Sequence, residues 1–357
     1  MKLALITDTH WGVRNDSITF LDYFTKFYRE VFFPYLDKHG IDTVVHLGDI
    51  VDRRKFINYV TLNRFKDEWI FELEKRGIDF HVIVGNHDVP YRNTNEINAM
   101  KELFSTIDAS EKMSYYYEPK TVNFDGCDIL LMPWINNANY KDSIQAMNDS
   151  PAQVCFGHFE IEGFEMMRGV KNDHGLKTDI FSQFDTVYSG HFHHKSTRGN
   201  ITYLGSPYEM TWSDYNDPRG FHIFDTDTRE LEFIQNPYRM FHKVVYNDED
   251  KAVEEYKKMD FELYRDTYVK VIVQNKTNPY AFDLFLDNLY KSDPINVSIV
   301  DDNKHLDKQP DEEIFSEAED TMTILSKYVS NMEFQGDSAK LNVLLRDLYQ
   351  EAVHLEL

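Results

Sequence analysis

Along the first hundred residues, short and almost wholly apolar runs alternate with longer stretches in which apolar residues recur every three or four positions. KLALIT (2–7), DTVVHLG (42–48) and DFHVIVG (79–85) each stop at a polar residue or a glycine, the pattern of buried parallel strands. Between them, residues 18–39 and 60–76 carry an amphipathic helical spacing, as in Leu21, Phe24, Phe27, Tyr28 and Val31. Strand, helix, strand, helix, strand predicts a parallel sheet with crossover helices. From 120 to 235 strands dominate (KTVNFDG, CDILLMPW, AQVCFG, TVYSG, ITYLG, FHIFDT, ELEFIQ), which predicts a mixed or second sheet. TYVKVIVQ (267–274), a helical AFDLFLDNLY (281–290) and INVSIV (295–300) predict a further small αβ unit.

Ligands of open α/β sheets gather at the carboxyl ends of the strands, so the residues that follow each apolar run carry the chemistry. After LALIT come Asp8-Thr9-His10; after VVHLG, Asp49; after HVIVG, Asn86-His87-Asp88; after VCFG, His158; after VYSG, His191-Phe192-His193. Four of the five arrive through a glycine, which lets the backbone turn sharply and approach closely. In extended backbone, alternation points Asp8 and His10 to one side, and His191 and His193 likewise, so that each pair meets one ion. Seven ligands are too many for one ion and suit two that share a carboxylate, with Asp49 the natural bridge. A mixed oxygen and nitrogen set without thiolate suits Mn²⁺, Fe²⁺ or Zn²⁺ better than Mg²⁺. Two such ions, roughly 3.5–4 Å apart, favour phosphoester hydrolysis.

The series D-x-H, G-D, G-N-H-D, G-H and G-H-x-H resembles the calcineurin-like metallophosphoesterases. Within that superfamily the chain is similar to the nuclease subunits of double-strand-break repair complexes, among them the bacterial SbcD proteins and the recombination endonuclease subunits of T-even-type bacteriophages. The segments that carry the likeness are DTHWGV (8–13), GDIVDRRK (48–55), VGNHDVPYRN (84–93), FDGCDILLMPW (124–134), CFGHFEIEGF (155–164), SGHFHH (189–194), YLGSP and NDPRGFHIFDTDT. The resemblance implies an α/β fold, a four-layer αββα sandwich with a small αβ capping domain and C-terminal helices. It assigns residues 1–235 to the nuclease domain, 236–300 to the cap, and 301–357 to an acidic linker and helices that grip an ATPase partner. It implies one metal on Asp8, His10, Asp49 and His193, and a second on Asp49, Asn86, His158 and His191, with Mn²⁺ the expected ion. His87 is implied as the catalytic group facing the scissile phosphate, with Asp88 orienting it. Archaeal and eukaryotic members carry a histidine where this chain has Asp52, so no role is carried over to that position. The implied partners are single- and double-stranded DNA ends and an SbcC-type coiled-coil ATPase, with a homodimer inside a heterotetramer.

Composition tempers the nucleic-acid expectation. Net charge is −23 at a pI near 4.9, whereas phosphate contacts normally need clustered Lys and Arg. Residues 301–357 hold −9 of that charge, and the loops beside the motifs are locally basic: Arg14; Arg53, Arg54 and Lys55; Arg92; Lys195 and Arg198. Arg14, Arg53, Arg54, Arg92, Lys195 and Arg198 are expected to contact the DNA backbone. His194 and His174 read as a solvent-facing spare and a loop residue. Cys127 and Cys155 lie in apolar runs as buried free thiols, the chain has no apolar run of membrane-spanning length, and Asp8 follows too early for a signal peptide, so a cytoplasmic protein is expected.

Past the acidic stretch, Phe315, Ala318, Met322, Leu325, Val329 and Met332, then Leu341, Leu344, Leu348, Ala352 and Leu355, repeat at helical spacing and need a surface to bury on. No G-x-x-x-x-G-K-[ST] occurs, so ATP dependence is expected from another chain. Two rivals are a phosphoprotein phosphatase and a non-catalytic protein that binds DNA ends or the ATPase. GDIVDRR approaches the phosphatase motif G-D-x-V-D-R-G, but Arg54 replaces its glycine, GNHD replaces GNHE, and Trp11 follows His10.

Overall fold

In the computed structural model, which describes residues 1–91, 93–104, 112–167, 170–249, 253–301, 340–341 and 343–345, the apolar runs become strands. They are β1 (Lys2–Ile6), β2 (Thr43–His46), β3 (Asp79–Ile83), β4 (Met113–Tyr116), β5 (Lys120–Phe124), β6 (Cys127–Met132), β7 (Val154–His158), β8 (Glu165–Met167), β9 (Val170–Lys171), β10 (Thr186–Gly190), β11 (Ser196–Arg198), β12 (Ile201–Tyr203), β13 (Gly220–Asp225), β14 (Leu231–Gln235), β15 (Phe241–Asn247), β16 (Tyr268–Asn275) and β17 (Asn296–Asp301). Two compact units result: Met1–Tyr208 with Asn216–Tyr238, and Glu209–Tyr215 with the described residues from Arg239 onward.

The first unit holds two six-stranded sheets, ordered β14-β13-β1-β2-β3-β4 and β11-β12-β10-β7-β6-β5. Of the mixed or second sheet expected over 120–235, β5–β7 and β10–β12 form the second sheet. FHIFDT and ELEFIQ return as β13 and β14 to the first sheet, β13 lying antiparallel to β1 with Leu3 opposite Phe224. That return covers the edge β1 would otherwise expose.

Period-two alternation decides what each face meets. Leu3 and Leu5 of β1, Val45 of β2, Ile129 and Leu131 of β6, Val154 and Phe156 of β7, and Tyr188 of β10 form one core between the sheets. The opposite faces of β6, β7 and β10 pack Leu130, Met132, Cys155 and Val187 under helix Tyr140–Asp149 through Met147. On the first sheet's outer side, helices Ile18–Phe27 and Phe33–His39 are joined by a π-helical turn, as are Tyr59–Phe65 and Phe71–Arg76. There Phe32 reaches Phe221 (4.9 Å between ring centres) and Trp69 reaches Phe80 (5.8 Å). The layers therefore run helix, sheet, sheet, helix. Cys127 and Cys155 are buried free thiols.

The second unit is a parallel sheet, β15-β16-β17, with helix Pro279–Lys291 on one face; Val244, Tyr246, Val269, Val271, Phe282 and Phe285 share its core. Residues 209–215 join it because the Glu209 carboxylate accepts from the N–H groups of Met240 (2.7 Å) and Phe241 (2.9 Å). The first unit ends at Tyr238, and the short segment 209–215 belongs to the second. Asp301, the first residue of the expected linker at 301–313, ends β17; the rest of that linker and nearly all of the C-terminal helical repeats lie outside the described residues, as does Arg92. No helix among the described residues is long and apolar enough to cross a membrane.

Candidate metal centre

β1, β2 and β3 run parallel in one sheet, and β6, β7 and β10 in the other, so the two sets of carboxyl ends each present their loops together. The loops meet because glycines allow it. A Cβ on Gly48 (φ 95°) would stand 2.6 Å from His158 Nδ1 and 2.9 Å from the Gly85 Cα, and one on Gly190 only 2.1 Å from Thr7 Oγ1. Cross-links then tie one sheet to the other. The His191 N–H donates to Asp8 Oδ1 at 3.0 Å, and His158 Nδ1 donates to the Leu47 carbonyl at 2.7 Å.

Two clusters of candidate ligands follow, beside a third group formed by His10, Asp52 and His87. Asp8, His10 and His193 form one: His10 Nε2 is 3.0 Å from His193 Nε2, and each of those nitrogens is 4.0 Å from Asp8 Oδ1. Asp49, His158 and His191 form the other, with Asn86 Oδ1 lying 2.9 Å from His158 Nε2 and 2.8 Å from His191 Nδ1. Asp49 Oδ2 stands between them, 3.8 Å from His10 Nε2 and 3.2 Å from His158 Nε2. Donors roughly 3–4 Å apart are spaced as ligands about 2.1 Å from a shared ion. Two imidazole nitrogens and a carboxylate facing one point, and two imidazole nitrogens, an amide oxygen and a carboxylate facing the other, are donor sets that a divalent cation completes. The residues therefore fit two divalent ions.

The route to this geometry is not strand alternation. Asp8 (φ 52°), His10 (φ 42°), Asp49 (φ 56°) and His191 (φ 90°) all lie at positive φ, so the segments after β1 and β10 are turns and not extended backbone. His191 and His193 accordingly part to different clusters, and the expectation that they meet one ion as a pair is overturned. Four non-glycine residues in a costly backbone region mark a place where folding strain is accepted to aim side chains.

Electrostatics reflect a dense, dry group of charges. Burial alone would lower the His10 and His158 pKa values, but Asp52, Asp49 and Asp8 around His10, and Asp49 and Asp8 around His158, hold each at about 9. Burial pushes Asp8 up to about 6; it would raise Asp49 too, but His158 and His87 hold that carboxyl well below its usual range. Burial and neighbouring imidazoles bring His191 down to about 3 and His193 well below its ordinary value, leaving both as neutral ligands. This cluster demands positive charge, which protons on His10 and His158 or bound cations can provide.

His87 sits beside the first cluster, its ring 4.8 Å from that of His10 and its Nδ1 2.6 Å from the Asp52 carbonyl oxygen. Burial lowers its pKa, and the Nδ1 proton given to that carbonyl leaves Nε2 as its free nitrogen. Asp88 does not orient it. Its two oxygens accept from the N–H groups of Gly85 and Asp49 (2.8 Å each), Ile50 (2.9 Å) and Val51 (3.2 Å), so it shapes the turn that carries Asp49. Asp52 is an unexpected participant: its carboxylate lies 3.3 Å from His10 Nδ1 while its carbonyl holds His87.

The basic residues are mixed. Arg53 is paired with Asp16 (3.2 Å) and Asn15 and lies over the Phe56 ring, and Lys195 lies 3.7 Å from the Phe233 ring centre. Arg198 is exposed, and Arg14 and Arg54 are partly exposed. His194 is held by Asp217 at 2.8 Å, and Asp217 also binds the buried Arg219, which donates to the His193 carbonyl; His174 is exposed beside Asp173. Sequence reasoning missed Arg219 and Asp217, although they stand in NDPRGF. It also passed over Trp134, whose ring lies 5.3 Å from that of His191.

The chain is 33% identical over 355 residues to exonuclease subunit 1 of Enterobacteria phage T4, covering 99% of each. It is 24% identical over 354 residues to the DNA double-strand break repair protein Mre11 of Methanococcus maripaludis, covering 89% of this chain and 90% of that one. Over 351 residues it is 22% identical to a subunit of the nuclease SbcCD of Staphylococcus saprophyticus, covering 78% and 91% respectively. The calcineurin-like phosphoesterase profile matches residues 1–195, a span that contains all seven candidate ligands and His87. With more than half its length matched on the residues that build the metal centre, the chain is a member of the calcineurin-like phosphoesterase family.

Proposed function

We propose that the chain is the nuclease subunit of an SbcCD-like recombination and double-strand-break repair complex, a metal-dependent endo- and exonuclease that hydrolyses DNA phosphodiester bonds. One observation carries the chemistry: two donor clusters share Asp49, with His87 alongside. The nuclease names of the full-length relatives support DNA as the substrate. Asp8, His10, Asp49 and His193 would hold one ion and Asp49, Asn86, His158 and His191 the other, with Mn²⁺ the expected metal. When bound, such ions supply Lewis-acid charge to the phosphate oxygens and a water of lowered pKa.

The chain's own groups do the rest. Asp52 fixes the His87 proton at Nδ1, and a phosphodiester brought against Nε2 raises the proton affinity of that nitrogen, so that His87 donates to the phosphate or the leaving oxygen. The Leu47 carbonyl takes the Nδ1 proton of His158 and so turns its Nε2 toward the ion. Arg14, Arg53, Arg54, Lys195 and Arg198 are offered as contacts to the DNA backbone. An SbcC-type coiled-coil ATPase is the partner, with two nuclease subunits in the assembly, working in the cytoplasm of the host cell.

The test compares labelled single- and double-stranded DNA with a phosphopeptide in Mn²⁺, using the parent and His87→Gln. DNA cleavage that chelation abolishes, with a loss on the order of 10²–10⁴-fold in the variant, is expected. Phosphopeptide turnover without DNA cleavage overturns the reading in favour of a phosphatase, and an undiminished His87→Gln protein overturns the role of His87.

A further inference from the structure

Trp134 differs from the other tryptophans of the first unit. Trp11 and Trp69 are buried in the core, while Trp134 is partly exposed where the chain leaves β6, at the same sheet edge as the metal ligands. Its ring lies 5.3 Å from the His191 ring and 6.1 Å from that of His158.

The mounting is elaborate for a surface residue. The Trp134 N–H donates to the Val84 carbonyl beyond β3 (2.8 Å), which ties the two sheets together at this point. Its carbonyl accepts from the side-chain amides of Asn95 (2.7 Å) and Asn139 (3.0 Å). Asn136 completes the set, donating to Asn95 Oδ1 at 3.0 Å and accepting from the Asn139 N–H at 3.2 Å. Asn95 and Asn136 are buried, and buried amides are kept only where their hydrogen bonds define a geometry. Here they fix the backbone that presents an aromatic face beside the metal ligands.

The charge of the whole chain gives that face a use. With a net charge of −23, and with Arg53 and Lys195 committed to internal partners, phosphate contacts are few, and DNA must be held partly by forces that salt and acidic surface do not weaken. Stacking of a base on an aromatic ring is such a force and needs no particular base.

We propose that Trp134 is a stacking platform for a nucleotide base next to the scissile phosphate, and so a specificity-determining residue that favours strands whose bases are unpaired. A base inside a duplex has both faces covered by its stacked neighbours, so duplex is used at its ends or where it is opened. The inference rests on the nuclease reading above.

The experiment measures kcat/KM of the full chain in Mn²⁺ on a single-stranded oligonucleotide and on one with abasic residues flanking the cleaved bond, for the parent, Trp134→Ala and Trp134→Phe. Isothermal titration of Mn²⁺ and quenching of indole fluorescence by the intact oligonucleotide accompany it. Expected are a loss of roughly 5- to 150-fold for Trp134→Ala on the intact strand, no further loss on the abasic strand, substantial rescue by Trp134→Phe, unchanged Mn²⁺ affinity, and quenching that disappears in both variants. An equal loss on both strands, or one that tracks weakened Mn²⁺ binding, overturns the proposal and makes the indole a shield for His191. A parent that cuts DNA no better than Trp134→Ala overturns it alone; a parent that cuts no DNA overturns it together with the nuclease reading.

Discussion

Asp88 and His87 are neighbours in the chain and serve different structures. The Asp88 carboxylate closes the turn at Gly85 and caps three successive N–H groups at 49–51, while His87 is held through the Asp52 carbonyl. Burial and the nearby Asp49 push the Asp88 carboxyl up to about 6, the amides pulling the other way. An Asp88→Asn substitution turns a donor toward backbone donors, which costs about 1–3 kcal/mol for the groups left unpaired. The loss falls on the segment that aims Asp49. Isothermal titration should therefore show weaker Mn²⁺ binding, with kcat at saturating metal and its pH profile close to the parent's. A shifted pH profile at unchanged metal affinity would return Asp88 to the role of orienting His87.

At the scale of elements, β13 shows what pattern reading reaches and where it stops. FHIFDT reads as a strand from its own residues, yet membership of the first sheet depends on β1, more than two hundred residues away. The strand ends were legible because each apolar run stops at a glycine or polar residue; the positive φ of Asp8, His10, Asp49 and His191 was not, because side-chain pattern carries no record of backbone handedness. Trp134 was missed because an aromatic after an apolar run reads as core. β13 also carries a buried histidine with a measurable effect. Burial, with Lys195 nearby, brings His222 down to about 3, so the folded chain keeps it neutral where the unfolded chain takes up a proton below about 6.5. Its cost to stability is absent above that pH and grows by about 1.4 kcal/mol per unit as pH falls toward 3. Urea unfolding of a His222→Phe protein at pH 7 and pH 5 should show a shallower acid loss than the parent, to which His46, also brought down to about 3, still contributes. Parallel losses in the two proteins would mean that His222 takes up its proton without unfolding.

For the whole molecule the acidic charge is unevenly placed, and its distribution separates catalysis from assembly. Residues 314–357 hold eight Asp or Glu against three Lys or Arg, together with the apolar repeats from Phe315 to Leu355, whereas every candidate ligand lies before 195. An acidic segment repels DNA but, with an apolar stripe, suits a protein surface. Deleting 314–357 should leave Mn²⁺-dependent cleavage in place, modestly strengthen DNA binding at low ionic strength, and abolish co-purification with the coiled-coil ATPase. The gain in DNA binding should fade as salt rises, because screening within about 8 Å at physiological ionic strength removes distant repulsion but leaves contacts at the metal centre. Lost cleavage would show instead that the segment supports the catalytic unit, and retained association would place the ATPase contact elsewhere on the chain.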